Sequence, residues 1–298
     1  MPDPADTLAG GEARGPAAVD RQTEALRQGI HPTAADVKAL VTGVLDGAVD
    51  LDAFGRWLLA LADVGETTAE IAGVAGALRS RMVAVPHGRP VVADTCGTGG
   101  DGSGSFNIST AAGIVAAGAG LPVAKHGNRA VTSRSGSADV LERLGVRVDG
   151  PAEVAAACLA DVGLAFCLAP THHPAMKRVG PLRRSLGVPT VFNLVGPLVN
   201  PAKATVQVIG VGRPGVRRAI AEAARIGGAT RVVVVSAPLD PEGKSVLDEV
   251  SLFGPTDVID VGPEGTREER WTPEDFGIAT RPTAEMALLG ADGPDASA

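Results

Sequence analysis

The sequence predicts an α/β domain with a largely parallel central sheet flanked by helices, preceded by a separate all-α N-terminal subdomain. From Val91 onward, short β-branched runs alternate with helical stretches, which is typical of strand–helix–strand units. Residues 33–82 instead carry apolar stripes at helical spacing. Of the 298 residues, 45% are hydrophobic and 20% charged, which indicates a globular protein.

The N-terminal subdomain is predicted to be a helical bundle. Thr33 can cap a helix over Val37–Leu45, and a second stripe covers Leu51–Leu61. A third stripe covers Ile71–Met82, with Thr67 or Thr68 as the cap. A bundle this small is expected to lean on the next domain or on a partner subunit. The expected organisation is a disordered tail (1–20), a helical dimerisation domain (21–86), the α/β domain (87–280), and a disordered or truncated C-terminus (281–298).

The α/β domain is predicted to alternate strands and helices along the chain, and ligands of such sheets bind beyond the carboxyl ends of the strands. The predicted strands are Val91–Asp94, Val123–Lys125, Leu164–Leu168, Thr190–Asn193, Val206–Val211, Arg231–Val235 and Val258–Val261. The predicted helices are Ala111–Ala119, Asp139–Leu144, Ala152–Leu159, one opening at His172 and ending at Arg183-Arg184, and Val216–Ile226.

The first candidate site is the glycine-rich stretch between Asp94 and Thr110, which joins a predicted strand to a predicted helix. Glycine lets a ligand approach the bare backbone, and the N–H groups at a helix start favour an anion. No Gly-Lys-Ser/Thr sequence closes the loop as in a Walker motif, and the glycine spacing does not match a dinucleotide fingerprint. An ordinary glycine-rich turn is the alternative interpretation of this stretch.

Two further stretches carry groups suited to a phosphorylated ligand. Lys125–Asp139 combines lysine and arginine with Asn128 and several hydroxyls, which matches a ligand with many oxygens. Asp248-Glu249 provides adjacent carboxylates, which are natural magnesium ligands beside a phosphate, although such a pair alone is usually plain surface. An arginine near Arg183-Arg184 could bind a carboxylate in bidentate fashion.

Composition excludes several classes of protein. The net charge of −7 argues against a general nucleic-acid binder, and 3% aromatics without tyrosine argue against stacking on single strands. Cys96, Cys158 and Cys167 show no metal or disulfide spacing, which suits a reducing cytoplasm. No signal peptide and no apolar run long enough to span a membrane is evident.

Taken together, these segments closely resemble anthranilate phosphoribosyltransferases over residues 25–277. Single motifs of this kind are weak evidence, whereas several long ones in the right order are strong evidence. The matching stretches are Gly97-Thr98-Gly99-Gly100-Asp101, Phe106-Asn107-Ile108-Ser109-Thr110, Lys125–Glu142, Ala169-Pro170, His173-Pro174-Ala175-Met176-Lys177, Phe192-Asn193, Gly196-Pro197-Leu198-Val199-Asn200-Pro201 and Asp248-Glu249-Val250-Ser251.

The resemblance implies a nucleoside-phosphorylase/anthranilate-phosphoribosyltransferase-like fold and a homodimer joined through the helical domain, with residues near His173–Gly187 packing against that domain. It also implies transfer of the phosphoribosyl group of phosphoribosyl pyrophosphate to the amine of anthranilate, in tryptophan biosynthesis. Mg²⁺ would be held by Ser109, Asp248 and Glu249, and anthranilate by Gly97, Asn128 and Arg183. Phosphoribosyl pyrophosphate would be held by Gly97, Gly100, Asp101, Ser105, Asn107, Ile108, Ser109, Thr110, Lys125, His126, Gly127, Asn128, Arg129, Ala130, Val131, Thr132, Ser133 and Ser137.

The sequence departs from the family pattern at three places. It ends at Ala298 where the family continues with further helices, and Ser236–Leu247 is longer than usual, so the metal loop is expected to be displaced. Arg134 and Val188-Pro189-Thr190 are minor differences. The alternatives are a paralogue for another aromatic amine, and a truncated, non-catalytic protein that binds phosphoribosyl ligands. A pyrimidine nucleoside phosphorylase, which has a related fold, is disfavoured because its phosphate motif is absent. No general base is assigned.

Overall fold

The computed structural model describes residues 16–130, 135–240, 242–243, 245–282, 290 and 293–298. The chain divides into two compact units. The first contains the chain up to Met82 together with His173–Val195, and the second contains Val83–His172 and Gly196–Ala298. The chain therefore passes from one unit to the other three times, after Met82, His172 and Val195, whereas the boundaries expected from the sequence place each domain in one continuous stretch.

The secondary structure is helical up to residue 82 and mixed thereafter. The helices are α1 (Pro16–Arg27), α2 (Ala34–Leu45), α3 (Leu51–Val64), α4 (Thr68–Arg79), α5 (Ile108–Gly118), α6 (Ser137–Arg143), α7 (Ala152–Asp161), α8 (Ala169–His172), α9 (Gly180–Leu186), α10 (Arg217–Ile226) and α11 (Pro294–Ser297). The strands are β1 (Ala93–Asp94), β2 (Val123–Gly127), β3 (Leu164–Leu168), β4 (Val206–Gly210), β5 (Arg231–Pro238), β6 (Val246–Leu247), β7 (Thr256–Gly262) and β8 (Gly265–Trp271).

The first unit is a helical bundle with an aromatic centre. Thr33 and Thr67 cap α2 and α4, as the sequence predicts. The rings of Phe54 and Trp57 stack with their centroids 5.7 Å apart. The ring of Phe192 contacts that of Phe54 edge-on, with the centroids 6.2 Å apart, so the segment His173–Val195 contributes to this core.

Three expectations about the helical regions are wrong. Residues 16–20 are the start of α1 rather than part of a disordered tail, because a proline is compatible with the first turn of a helix. The single helix expected to open at His172 is interrupted, since Pro174 and Pro181 each start a new helical segment. Residues 191–193 form a 3₁₀ turn rather than a strand, because Asn193 Oδ1 accepts from the Thr190 N–H at 3.0 Å.

The second unit is built on one mixed sheet whose strand order is β3-β2-β1-β4-β5-β7-β8, with β6 paired to β5. From β3 to β5 the strands are parallel, and β6, β7 and β8 are antiparallel to their neighbours. Ala93 of β1 pairs with Val123 on one side and Val206 on the other. The carboxyl ends of β1, β2 and β4 therefore open side by side.

The predicted sheet is confirmed except at the start of β1, at the strand predicted over Thr190–Asn193, and at β6 and β8, which the sequence does not predict. Val91 lies outside β1 and is 42% exposed, although the sequence predicts a buried strand there. The sequence does not predict β8, because the charged residues of this strand are almost all exposed and give no apolar alternation. At the C-terminus, where the sequence indicates disorder or truncation, residues 294–297 form the short helix α11. None of the described helices is long and apolar enough to cross a membrane.

Candidate active site

The glycine-rich loop (residues 95–107) follows β1 and passes along the end of β4. The Thr98 N–H donates to the carbonyl of Gly210 at 2.8 Å. A Cβ on Gly97 would lie 3.0 Å from the same carbonyl oxygen, so a side chain would crowd this contact. Gly100 has φ = +84°, a conformation that favours glycine. The loop is thus anchored at its start and presents bare backbone further on.

The start of α5 lies against a buried lysine. Thr95 Oγ1 donates to the backbone oxygen of Ser109 at 2.7 Å. Lys125, on β2, is 4% exposed, and its Nζ donates to Ser109 Oγ at 3.2 Å. The neighbouring strands β1 and β2 therefore place the amino group of Lys125 at the N-terminus of a helix, which is a favourable place for an anion.

The acidic turn (residues 248–250) lies directly against the glycine-rich loop. The Asp248 N–H donates to Asp101 Oδ2 at 3.3 Å, although the two residues are 147 positions apart. A Cβ on Gly210 would lie 1.6 Å from the backbone oxygen of Asp248, so only glycine permits this approach. The residues before the acidic turn form the antiparallel pair β5–β6. The displacement of this turn relative to the family stays a prediction.

The two carboxyl groups of the acidic turn have raised pKa values. Burial, together with the carboxylates of Asp101 and Glu249, raises the pKa of Asp248 to about 8. Burial also raises the pKa of Glu249 to about 7, although the Lys125 ammonium and the Ser109 N–H lower it. A cation bound beside Asp248 and Glu249 would favour their ionised forms and so lower both pKa values.

The acidic turn and Ser109 fit a magnesium ion that also binds substrate oxygens. Among the described residues, no group of three or more His, Cys, Asp and Glu side chains could hold a metal by itself. Mg²⁺ commonly takes one or two carboxylates and completes its shell with water and phosphate oxygens. Asp248 and Glu249 supply those carboxylates, and the Ser109 N–H bonded to Glu249 brings the serine beside them.

The basic loop (residues 128–136) is braced by α6. Asp139 Oδ2 accepts from the N–H groups of Ala130 and Gly136, each at 2.8 Å. Ser137 Oγ donates to the carbonyl of Asn128 at 3.3 Å. Arg129 forms an ion pair with Glu142. One short helix thus holds both ends of the loop, while the proposed site residues Val131, Thr132 and Ser133 lie outside the described residues.

The two loops also contact each other. Asn107 Nδ2 donates to the carbonyl of Ser135 at 3.4 Å, and Ser135 Oγ donates to Asn107 Oδ1 at 3.3 Å. Within the glycine-rich loop, Ser103 Oγ donates to Ser105 Oγ at 3.2 Å. These contacts hold the Asn107 amide against the basic loop and the Ser105 hydroxyl against Ser103.

A buried carboxylate supports the strand that carries Lys125 and His126. Asp94 Oδ1 accepts from the His126 N–H at 3.2 Å, and Oδ2 accepts from Asn200 Nδ2 at 2.7 Å. The His126 ring donates through Nδ1 to the carbonyl of Gly196 at 2.9 Å. The ring is therefore held by the fold. Burial raises the pKa of Asp94 to about 6, despite the opposing charge of Lys125.

Arg183, the proposed carboxylate-binding residue, belongs to the first unit, on α9. Its guanidinium lies 5.3 Å from the centroid of the Phe192 ring, and burial lowers its pKa. Stacking on an aromatic face holds a guanidinium in one plane. Gly97 and Asn128, the other residues assigned to anthranilate, belong to the second unit.

Several residues that shape the site were not assigned by sequence reasoning. Asp139 and Asn200 lie in stretches that match the family, but nothing in the sequence shows which N–H groups they contact. Thr95 follows β1 and Gly210 ends β4. Their positions at strand ends are the one sequence signal that they lie near the site, because the ends of parallel strands meet at one edge of the sheet. Cys96 lies in the loop as well, where burial raises the pKa of its thiol to about 12 and makes it a poor nucleophile.

Two family models match the chain. Residues 23–82 match the helical bundle domain of a glycosyl transferase family, and residues 89–296 match the a/b domain of a glycosyl transferase family. The two matches follow the change from helical to mixed structure seen in the fold.

The curated relatives most similar to this chain include enzymes that share one name. Anthranilate phosphoribosyltransferase of Rhodopirellula baltica is 44% identical over 277 residues, which cover 91% of this chain and 77% of the relative. The enzyme of that name from Herpetosiphon aurantiacus is 47% identical over 253 residues, covering 85% of this chain and 73% of the relative.

Solved structures agree with the curated relatives. Anthranilate phosphoribosyltransferase of Thermus thermophilus superposes with a TM-score of 0.81 at 38% identity, covering 93% of this chain and 79% of that one. The Saccharomyces cerevisiae enzyme in complex with PRPP and Mg gives a TM-score of 0.81 at 28% identity, covering 94% and 79%. The same yeast enzyme has been solved with 4-fluoroanthranilate, with a TM-score of 0.79 at 27% identity, covering 95% and 79%.

Proposed function

This chain belongs to the anthranilate phosphoribosyltransferase family, and on that premise we propose how its residues divide the reaction. The reaction transfers the phosphoribosyl group of phosphoribosyl pyrophosphate to the amine of anthranilate and releases pyrophosphate. The observation that carries the residue assignment is the convergence of the glycine-rich loop, Lys125 and the acidic turn at one edge of the sheet.

The glycine-rich loop and the start of α5 form the proposed diphosphate site. Backbone N–H groups around Gly100 and Asp101 would donate hydrogen bonds to the diphosphate oxygens, and the Lys125 ammonium would pair with the negative charge. Because these donors are already held in place, they favour the departing pyrophosphate without reorganisation during the reaction. The 5-phosphate is assigned to the basic loop, whose ends are held by Asp139.

Mg²⁺ is the proposed cofactor, and the yeast relative is solved with PRPP and Mg. When bound, Mg²⁺ would neutralise charge that develops on the leaving pyrophosphate. Asp248, Glu249 and Ser109 are the residues proposed to hold it. The carboxyl groups of Asp248 and Glu249 lie where a cation lowers the electrostatic cost of ionisation.

Anthranilate is proposed to attack without a general base. The ribosyl carbon becomes cationic as pyrophosphate leaves, much as in glycoside cleavage. An aromatic amine carries a free electron pair and needs no deprotonation before attack. The task of the protein is therefore positioning, for which Arg183 is proposed to pair with the anthranilate carboxylate in bidentate fashion.

An acceptor panel tests this proposal. The protein is incubated with phosphoribosyl pyrophosphate, Mg²⁺ and either anthranilate or another aromatic amine, and pyrophosphate release and product mass are measured. Anthranilate should give the phosphoribosylated product at the highest kcat/KM. A higher kcat/KM for another amine would identify a paralogue, and tight binding without any product would identify a non-catalytic binding protein.

Three further assignments are proposed, the first and third on the resemblance and the second on the cysteine pattern. They are a homodimer formed through the helical unit, a cytoplasmic location, and a role in tryptophan biosynthesis. Sedimentation of the purified protein tests the first, and rescue of a tryptophan-requiring strain that lacks this enzyme tests the third.

A further inference from the structure

The guanidinium of Arg183 is a half-buried charge on α9. Burial lowers its pKa, and no carboxylate among the described residues opposes that shift. Its side chain forms no ion pair and no hydrogen bond within the part of the chain that the structure describes. Moving a charge out of water without a partner is costly, so a guanidinium in this position is suited to bind an anion.

The ring of Phe192 is the group that this guanidinium faces. Arg183 Cζ lies 5.3 Å from the centroid of the ring, within the range of roughly 6 Å over which an aromatic face attracts a cation. Phe192 is 5% exposed, so little water competes with the contact. An arginine side chain has many rotamers, and a fixed aromatic face restricts the guanidinium to few of them.

Helix α3 holds both partners of this contact. Phe54 of α3 contacts the Phe192 ring edge-on, with the centroids 6.2 Å apart. At the next position, a Cβ on Gly55 would lie 3.1 Å from Leu182 Cδ1, so glycine lets α9 pack closely against α3. Leu182 directly precedes Arg183. The ring and the helix that carries the guanidinium are therefore fixed on the same element.

We propose that Phe192 is a positioning residue for the acceptor, whose ring face holds the guanidinium of Arg183 in the plane in which it pairs with the anthranilate carboxylate. The inference rests on the proposed function, which assigns the carboxylate to Arg183. Bidentate pairing requires two N–H groups to align with two oxygens, and a guanidinium that is already oriented loses less freedom when the ligand binds. Phe192 contributes through Arg183 alone.

Fluorinated phenylalanines at position 192 test this proposal in the full-length protein. One, two or three ring fluorines change the size of the side chain little, but they progressively withdraw negative charge from the ring face. KM for anthranilate should rise stepwise, by roughly fivefold or more across the series, because the attraction for the guanidinium weakens. The kcat and the KM for phosphoribosyl pyrophosphate should stay unchanged. A ring that merely fills the core would give one KM for anthranilate throughout, which would overturn the proposal.

Phe276 is the matched control for the fluorinated series. Its ring also contacts an aromatic neighbour edge-on, Trp271, with the centroids 5.7 Å apart, but it lies in the second unit. The same series at Phe276 should leave KM for anthranilate unchanged. If the two series raise this KM equally, the effect does not arise from the contact between Phe192 and Arg183, and the proposal is wrong.

Two further variants separate this inference from the proposed function. Phe192→Leu should raise KM for anthranilate roughly fivefold in the wild type but less than about twofold in Arg183→Gln, which has no guanidinium to orient. Equal factors in the two backgrounds would overturn the proposal. If Arg183→Gln alone leaves this KM unchanged, the assignment of Arg183 fails and the inference fails with it. If Arg183→Gln raises the KM while the fluorinated series does not, only the inference about Phe192 fails.

Discussion

The backbone N–H of Asp248 donates to the carboxylate of Asp101, at a distance of 3.3 Å. This contact ties the acidic turn to the glycine-rich loop, so the proposed metal ligands and the proposed diphosphate donors form one structure. It also groups the carboxyl groups of Asp101, Asp248 and Glu249, whose repulsion contributes to the raised pKa of Asp248. A change in either segment is therefore expected to affect the other.

Replacing Asp101 should impair substrate binding more than folding. Asp101→Asn keeps an acceptor for the Asp248 N–H but removes the negative charge, so the free energy of unfolding should change by less than about 1 kcal/mol. We expect kcat/KM for phosphoribosyl pyrophosphate to fall roughly tenfold or more, because the carboxylate of Asp101 holds the acidic turn and the glycine-rich loop in the positions proposed to bind the substrate. Steady-state kinetics and urea unfolding measure the two effects. A stability loss that accounts for the whole activity loss would contradict this assignment.

Gly210→Ala should be strongly destabilising. Its new Cβ would lie 1.6 Å from the Asp248 backbone oxygen, so the acidic turn must move. We expect the free energy of unfolding to fall by at least about 3 kcal/mol, as for other changes that force a backbone shift. Gly215→Ala is the matched control, because its Cβ would meet nothing within 4 Å. Equal urea midpoints for the two variants would show that the acidic turn is not packed here.

The stability contributed by Asp94 should fall as the pH rises. The pKa is about 6 in the folded protein and 3.8 ordinarily, so the folded state holds this proton more tightly and stability decreases between about pH 4 and pH 6. Asp94→Asn cannot titrate. Relative to wild type, it should therefore cost roughly 2 kcal/mol more at pH 4.5 than at pH 7. Urea unfolding of both proteins at the two pH values measures this difference, and a pH-independent cost would contradict the raised pKa.

Arg183→Lys should weaken recognition of anthranilate alone. Lysine keeps the charge but loses the planar, bidentate fork, so KM for anthranilate should rise about tenfold while KM for phosphoribosyl pyrophosphate stays unchanged. Arg184→Lys, at the exposed neighbouring position, is the matched control. If both variants show the same KM for anthranilate as the wild type, Arg183 does not bind the carboxylate.

Much of the fold could be predicted because its signals are local. The alternation of β-branched runs with helical stripes places β2 to β5 and β7, and threonine caps mark α2 and α4. Prediction fails where local chemistry competes with propensity. Thr190 has a strand-like neighbourhood but caps a 3₁₀ turn, and β8 is a charged edge strand.

The candidate site was predicted as a set of motifs but not as a geometry. The sequence shows that Asp101 and Asp248 each lie in a promising stretch, but their contact depends on the close passage of Gly210 beneath the acidic turn. Asn200 could not be assigned, because its role is to hold the buried carboxylate of Asp94, a tertiary contact across 106 positions.

The central claim is tested most directly by the loss of anthranilate fluorescence on addition of phosphoribosyl pyrophosphate and Mg²⁺. The wild type should give a signal that requires both additions, and the Asp248→Asn/Glu249→Gln double variant should give none at the same Mg²⁺ concentration while remaining folded. Undiminished turnover by the double variant, or no signal from folded wild-type protein, would contradict the proposed phosphoribosyl transfer at this site.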